Sequence, residues 1–177
     1  DSQWHDVIRQ KSVILPQPTL EKQFYEKSDI ELSKKDNEIN LAYFGSFYVN
    51  RGFGPFMKAW EELDEIQRNR FKLHIYTQQN AESILEIVPE SLKQLVVVQP
   101  YVGYFEFLKL SNQFDGLIVM DAETASLKLN NPYLPSKLSD YLGSDAKTLA
   151  MVEEGSPMSK IENEQLIKMN LHSTENI

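Results

Sequence analysis

The chain has 177 residues, 41% of them hydrophobic and none of them cysteine, with a formal net charge of −8. That length and apolar content fit one domain with a real core, and the lack of thiols removes disulfides, thiolate catalysis and cysteine metal sites and suits a reducing cytoplasmic setting. The acidic balance argues against nucleic acid and against membrane contact through a polybasic patch, and apolar runs such as Val96–Val98 and Leu117–Met120 are too short to span a bilayer.

Ser12–Leu15 is a short apolar run closed by Pro16 and Pro18, which predicts a strand leaving into an extended linker. Residues 19–38 are polar and charged, and read as linker and surface loop with a short helix near Glu21–Tyr25. From Ile39 the pattern becomes regular. Ile39–Phe44 is a predicted strand, and the stripe Phe56, Ala59, Trp60, Leu63 and Ile66 predicts a helix over Pro55–Gln67. Phe71–Thr77 reads as a strand, Ala81–Val88 as a helix stopped by Pro89, and Leu95–Gln99 as a strand. Tyr104–Ser111 follows as a helix, Asp115–Met120 as a strand, Ala122–Tyr133 as a loop, Ser136–Gly143 as a helix and Lys147–Val152 as a strand. Met158–Asn170 carries a weak helical stripe through Ile161, Leu166, Ile167 and Met169, and His172–Ile177 reads as a frayed tail. Strands alternating with helices, and apolar almost throughout, predict a parallel sheet covered on both faces. Ligands on such sheets sit beyond the carboxyl ends of the strands. Gly45, Thr77, Pro100–Gly103, Asp121 and the loop before Ser136 all follow strand ends and should share one edge.

The stretch from Asn131 to Ser144 is the most informative in the chain. Pro135 suits a helix start and Ser136 a cap. At 100° per residue Ser136, Lys137 and Asp140 share one arc of about 100°, with Leu138, Tyr141 and Leu142 opposite. Backbone N–H groups, an ammonium and a carboxylate then lie beside a helix N-terminus, a setting for an anion next to a sugar hydroxyl. The same spacing also describes a solvated helix face. Upstream, Gly45-Ser46 follows a strand, and Gly52, Gly54 and Pro55 lead into a helix, a loop through which backbone N–H groups can approach a phosphate. The dinucleotide and ATP-hydrolase glycine fingerprints are absent, as is Gly-x-Ser-x-Gly. His5, His74 and His172 are isolated, so no metal ligand set emerges and none is expected.

Pro-Ser-Lys-Leu-x-Asp-Tyr-Leu over residues 135–142 resembles the donor-binding segment of retaining glycosyltransferases with the GT-B fold, the large family 4 group. Residues 41–52, Leu-Ala-Tyr-Phe-Gly-Ser-Phe-Tyr-Val-Asn-Arg-Gly, are similar to that family's first strand and glycine loop, with Arg51-Gly52 where Lys-Gly is usual. The two motifs and the strand spacing between them extend the resemblance over roughly residues 12–160.

It implies a Rossmann-like doubly wound parallel sheet in a single domain, the C-terminal, nucleotide-sugar-binding half of a GT-B enzyme. Residues 1–38 would form the hinge-side strand and linker, residues 39–170 the donor-binding domain, and residues 171–177 the tail. A start at Asp1 instead of methionine suggests a fragment, lacking the N-terminal Rossmann domain that carries the acceptor site and inactive alone.

By the same resemblance Gly45 and Ser46 face the donor, Arg51 and Lys137 grip the diphosphate and act in catalysis, and Asp140 accepts from the ribose. Tyr101 and Val102 read the nucleobase, with Leu134 and Ser136 completing the site. The alternatives are that Arg51 is a surface turn residue and Tyr101 a rim or core aromatic. The family's first carboxylate, eight residues before Asp140, is replaced by Pro132; Asp121 or Glu123 either substitutes for it or is a capping or solvated acid. The implied activity is hexosyl transfer from a nucleoside-diphosphate sugar, without metal or other cofactor, in bacterial surface or capsular polysaccharide synthesis, with the whole enzyme peripheral at the inner membrane face. The rival reading is a non-enzymatic flavodoxin- or receiver-like module that docks a protein partner.

Overall fold

Six strands form one all-parallel sheet in the order β3-β2-β1-β4-β5-β6. They are β1 (Ile39–Phe44), β2 (Phe71–Thr77), β3 (Val96–Pro100), β4 (Gly116–Met120), β5 (Lys147–Val152) and β6 (Leu166–Asn170). A computed structural model provides these coordinates and describes residues 2–13, 17–47, 53–124 and 131–171. Arg51, the second half of the expected Ser12–Leu15 strand, His172 and the tail beyond it lie outside the described residues. The strand order is that of the doubly wound dinucleotide-binding sheet, with the order reversing between β1 and β4. A flavodoxin- or receiver-like module would show the order 2-1-3-4-5, so the topology overturns the fold of the rival reading.

Alternate residues of each strand point to opposite faces, and both faces are apolar. Leu41, Tyr43, Leu73, Ile75, Ile118 and Met151 pack on one side with α2 (Phe53–Glu62) and α4 (Ala81–Glu86). Ala42, Phe44, Tyr76, Leu117, Val119 and Ala150 pack on the other with α5 (Tyr104–Ser111) and α6 (Lys137–Gly143). An apolar groove of about 390 Å³ lies between α2 and the strands, lined by Trp60, Phe71, Leu149 and Met169 among others. It holds no carboxylate or histidine and shares no lining residue with the cavity at the carboxyl edge.

Several expectations need correction. The helix α1 (Ser2–Lys11) had no counterpart in the sequence pattern; its Trp4 and Ile8 are exposed, so no buried stripe marks it. Ser12 and Val13 follow it without regular structure, and Val13 is exposed and pairs with no strand. The helix expected over Pro55–Gln67 is broken after Glu62. Asp64 takes an extended backbone, its carboxylate accepts from the Gln67 amide at 2.8 Å, and a short α3 (Glu65–Arg68) starts there. That local cap outcompetes a continuous helix and turns Ile66 out to solvent. The last predicted helix is instead a 3₁₀ turn at Met158–Lys160 followed by β6. The open edge of β5 offers five residues of ladder pairing, which outweighs a weak helical stripe.

Residues 19–38 do contain the short helix, a 3₁₀ turn over Lys22–Tyr25, but the segment is fastened down. Gln113 accepts from the Leu32 amide at 2.7 Å and donates to the Ile30 carbonyl at 2.6 Å, while Asn112 donates to the Tyr25 carbonyl at 3.1 Å. Tyr25 itself is buried, and its hydroxyl donates to the Asp140 carbonyl at 2.8 Å. That fit depends on Gly143, where a Cβ would stand 2.1 Å from the Tyr25 hydroxyl oxygen. Gly143→Ala therefore expels a rigid ring and breaks its hydrogen bond. Chemical denaturation should show a loss of roughly 2–4 kcal/mol, combining overpacking with a broken hydrogen bond; wild-type stability would contradict this packing.

Candidate functional site

Beyond β1 the chain turns at Gly45, whose φ of +137° disfavours any side chain. Gly45 donates to the Tyr76 carbonyl at 2.9 Å, and the Tyr43 hydroxyl donates to the Ser46 carbonyl at 2.9 Å, so the turn is tied to β1 and β2. Gln79 extends the tie by accepting from the Phe47 amide at 2.6 Å. A Cβ on Gly45 would stand 2.7 Å from the Lys137 Nζ. The glycine leaves room for an ammonium arriving from α6.

The polar arc of α6 forms as its spacing predicts. Leu138 and Tyr141 are buried, while Ser136 is exposed and Lys137 and Asp140 are half-buried. Tyr141 fixes the helix to the sheet by accepting from the Phe44 amide at 3.2 Å, and burial drives its own pKa upward. Ser136 does not cap: its backbone is already helical and its side chain makes no cap bond. At seven residues α6 contributes a small dipole, so any anion here leans on Lys137 more than on the helix end.

A cavity of about 350 Å³ runs along this edge, lined by Tyr43, Ile118–Met120, Ala122 and Tyr133–Lys137. It gathers Leu134, Ser136 and Lys137, with Gly45 at the Lys137 tip. Tyr101 and Val102 line a separate depression with His74 and Gln99. Burial and the nearby Lys72 lower the pKa of His74 to about 4, and Nε2 lies 3.0 Å from the Asn40 amide oxygen, so this neutral histidine is a packing residue. Asp140 lines neither depression, and its Oδ1 accepts from the Tyr104 hydroxyl at 2.7 Å.

Sequence reasoning missed the support beneath this edge. Glu153, just past β5, is 4% exposed. Its Oε1 accepts from the Thr124 amide at 2.7 Å, and its Oε2 accepts from the Thr124 hydroxyl at 2.8 Å and from the Asn131 amide at 2.6 Å. Asn131 also donates to the Ala122 carbonyl at 2.9 Å and accepts from the Tyr133 amide at 2.9 Å. One buried carboxylate thus joins both stems of the loop that leads to Lys137. Asp121 is fully buried and its Oδ2 accepts from the Glu153 amide at 3.0 Å, so it is not a solvated acid. Glu123 is exposed. Among the described residues no group of three or more His, Asp or Glu side chains is arranged to hold a metal ion, and no helix is long and apolar enough to cross a membrane.

No family model and no curated protein matches the sequence. Solved structures do match. Sucrose-phosphate synthase from Thermosynechococcus elongatus is similar over 99% of this chain and 45% of that one, with a TM-score of 0.60 at 12% identity. The C-terminal domain of LpcC, a glycosyl transferase group 1 family protein from Francisella tularensis, is similar over 88% of this chain and 82% of that one, with a TM-score of 0.54 at 10% identity. TarM from S. aureus, solved in complex with UDP, is similar over 98% of this chain and 33% of that one, with a TM-score of 0.58 at 14% identity. The fold is that of the C-terminal half of a GT-B glycosyltransferase. The chain spans less than half the length of the synthase and about a third of TarM.

The Glu153 clasp generates a prediction of its own. Glu153→Gln keeps the shape but must turn an NH₂ toward either the Thr124 amide or the Asn131 amide, both donors. Urea denaturation should show a loss of about 1–3 kcal/mol, the cost of a buried polar mismatch, and the Thr124 amide should exchange faster with solvent. Unchanged stability and exchange would show that the clasp does not hold the loop.

Proposed function

We propose that this domain binds the nucleoside-diphosphate-sugar donor of a retaining glycosyltransferase, with transfer of a hexosyl group to an acceptor held by a second domain. The observation that carries the reading is the approach of the Lys137 ammonium to the side-chain-free Gly45 at the carboxyl edge of β1. A fold shared with glycosyltransferase structures supports it, as does the UDP bound to TarM. Lys137 would meet the diphosphate, with Arg51, known from the sequence alone, as its partner. Asp140 would accept from the ribose, and Tyr101 and Val102 would meet the base. Gly45, Ser46, Leu134 and Ser136 would shape the rest.

In transfer, the bond from the anomeric carbon to the β-phosphate oxygen breaks and its electron pair leaves with the diphosphate. The acceptor oxygen forms the new bond on the face the leaving group vacates, and its proton departs to solvent. Charge grows on the diphosphate as that bond lengthens, so cations at Lys137 and Arg51 stabilise the transition state more than the bound donor. No divalent metal is required for that neutralisation. Surface or capsular polysaccharide assembly in a bacterial cytoplasm is the setting we assign.

Calorimetry with UDP in the presence of a chelator tests this reading. Binding should survive metal removal, with a Kd no tighter than roughly the high-micromolar range because the edge is open to screening solvent. Lys137→Ala should cost about 1.5–3 kcal/mol with UDP, the scale of a hydrogen bond to a charged group, and less with UMP. Strict dependence on magnesium or manganese, or equal losses for both nucleotides, would contradict the assignment.

A further inference from the structure

We propose that Tyr104 is a positioning residue for the nucleoside, holding the Asp140 carboxylate by one oxygen so that the other meets a ribose hydroxyl. The inference rests on the donor-site reading above and extends it to a residue that the motifs did not single out.

Tyr104 opens α5 and Asp140 sits in α6, so their 2.7 Å bond joins two helices that pack on the same face of the sheet. The tyrosine is 46% exposed, yet its hydroxyl is directed to a carboxylate and not to solvent alone. Its ring leans on Phe105 and Phe107, with centroids 5.7 and 6.0 Å away, so the hydroxyl is delivered from a braced position. Asp140 is fixed from a second direction because Tyr25 donates to its main-chain carbonyl. An ionised carboxylate accepts about four hydrogen bonds, and Tyr104 uses one of them at Oδ1. Oδ2 remains for a ligand donor. Tyr104 also follows Tyr101 and Val102 in one turn, so the base-side residues and the ribose-side carboxylate are connected through it.

The electrostatics agree. The titratable groups facing Asp140 are Tyr25 from the 3₁₀ turn, Tyr104 from α5, and Lys137 and Tyr141 from α6. Burial raises the Asp140 pKa, and the Tyr104 hydrogen bond and the Lys137 charge oppose that rise. The Tyr104 phenol is pushed up to about 12, first by its hydrogen bond to Asp140. The phenol therefore stays protonated at neutral pH and is the donor of the pair. Without the hydroxyl, one of two opposing influences is lost and Asp140 protonates at a higher pH.

Titrating UDP and its 2′-deoxy and 3′-deoxy analogues into wild type and Tyr104→Phe, from about pH 7.5 down to about pH 5, separates positioning from packing. The variant should bind UDP roughly threefold to tenfold more weakly, the scale of one hydrogen bond. The loss should shrink for the analogue lacking the hydroxyl that Asp140 accepts, and the acid limb of binding should move to higher pH. Equal losses for all three nucleotides overturn the proposal, as do an unchanged acid limb and tighter binding by the variant. A lowered melting temperature with wild-type affinity overturns it too, because that is the mark of packing alone. If wild type binds no UDP, the donor-site reading falls with it; if wild type binds and Tyr104→Phe is indifferent, only this inference falls.

Discussion

Lys137 can meet Gly45 only because α6 is held at one height and one rotation against the sheet. Two tyrosines impose that constraint at adjacent residues of the helix, Asp140 and Tyr141. Tyr141 accepts the Phe44 amide at the end of β1, and Tyr25, arriving from far upstream, donates to the Asp140 carbonyl across the surface of Gly143. Both hydroxyls sit in apolar surroundings, where an unmet polar group costs about 1–3 kcal/mol, so the bonds specify position more than they add stability. Releasing α6 would move the lysine, the aspartate and the Pro132–Ser136 loop together.

A second constraint works from below. Glu153 draws Thr124 and Asn131 together, and Asp121 in turn holds the Glu153 backbone. A carboxylate is a costly group to bury unless it is fully engaged. Here it accepts three hydrogen bonds of 2.6–2.8 Å, and the loop stems are the donors. The irregular segment before α6 is therefore delivered from a fixed base, as a binding loop on a rigid scaffold must be.

Much of this fold is legible in the sequence because β1 to β5 are short apolar runs separated by helical stripes, and burial on both faces leaves little else for them to be. What escaped the reading depended on competition that no window of residues reveals. Asp64 stops a helix by capping another, and β6 exists because β5 has an open edge. Within the site, Gly45, Ser136, Lys137 and Asp140 stand close together in two recognisable motifs, and the geometry of Lys137 against Gly45 follows their pattern. The Glu153 clasp and the Tyr104–Asp140 pair do not, since their members lie 22 to 36 residues apart and meet only after sheet register and helix packing are set. Ser136 reads as a cap by type, yet its backbone is helical and its side chain makes no cap bond. Asp121 reads as an edge carboxylate by position, and burial at the end of β4 makes it a structural acceptor instead.

The central claim is that the carboxyl edge between β1 and α6 receives the nucleotide. Backbone amide shifts of the labelled chain, followed during titration with UDP, test it most directly. The account predicts a contiguous set of changes at Gly45, Ser46, Ser136, Lys137 and Asp140, extending to Tyr101–Tyr104, with Trp60, Leu149 and Met169 in the apolar groove left unmoved. Changes confined to that groove, or none at a large excess of UDP, would contradict it.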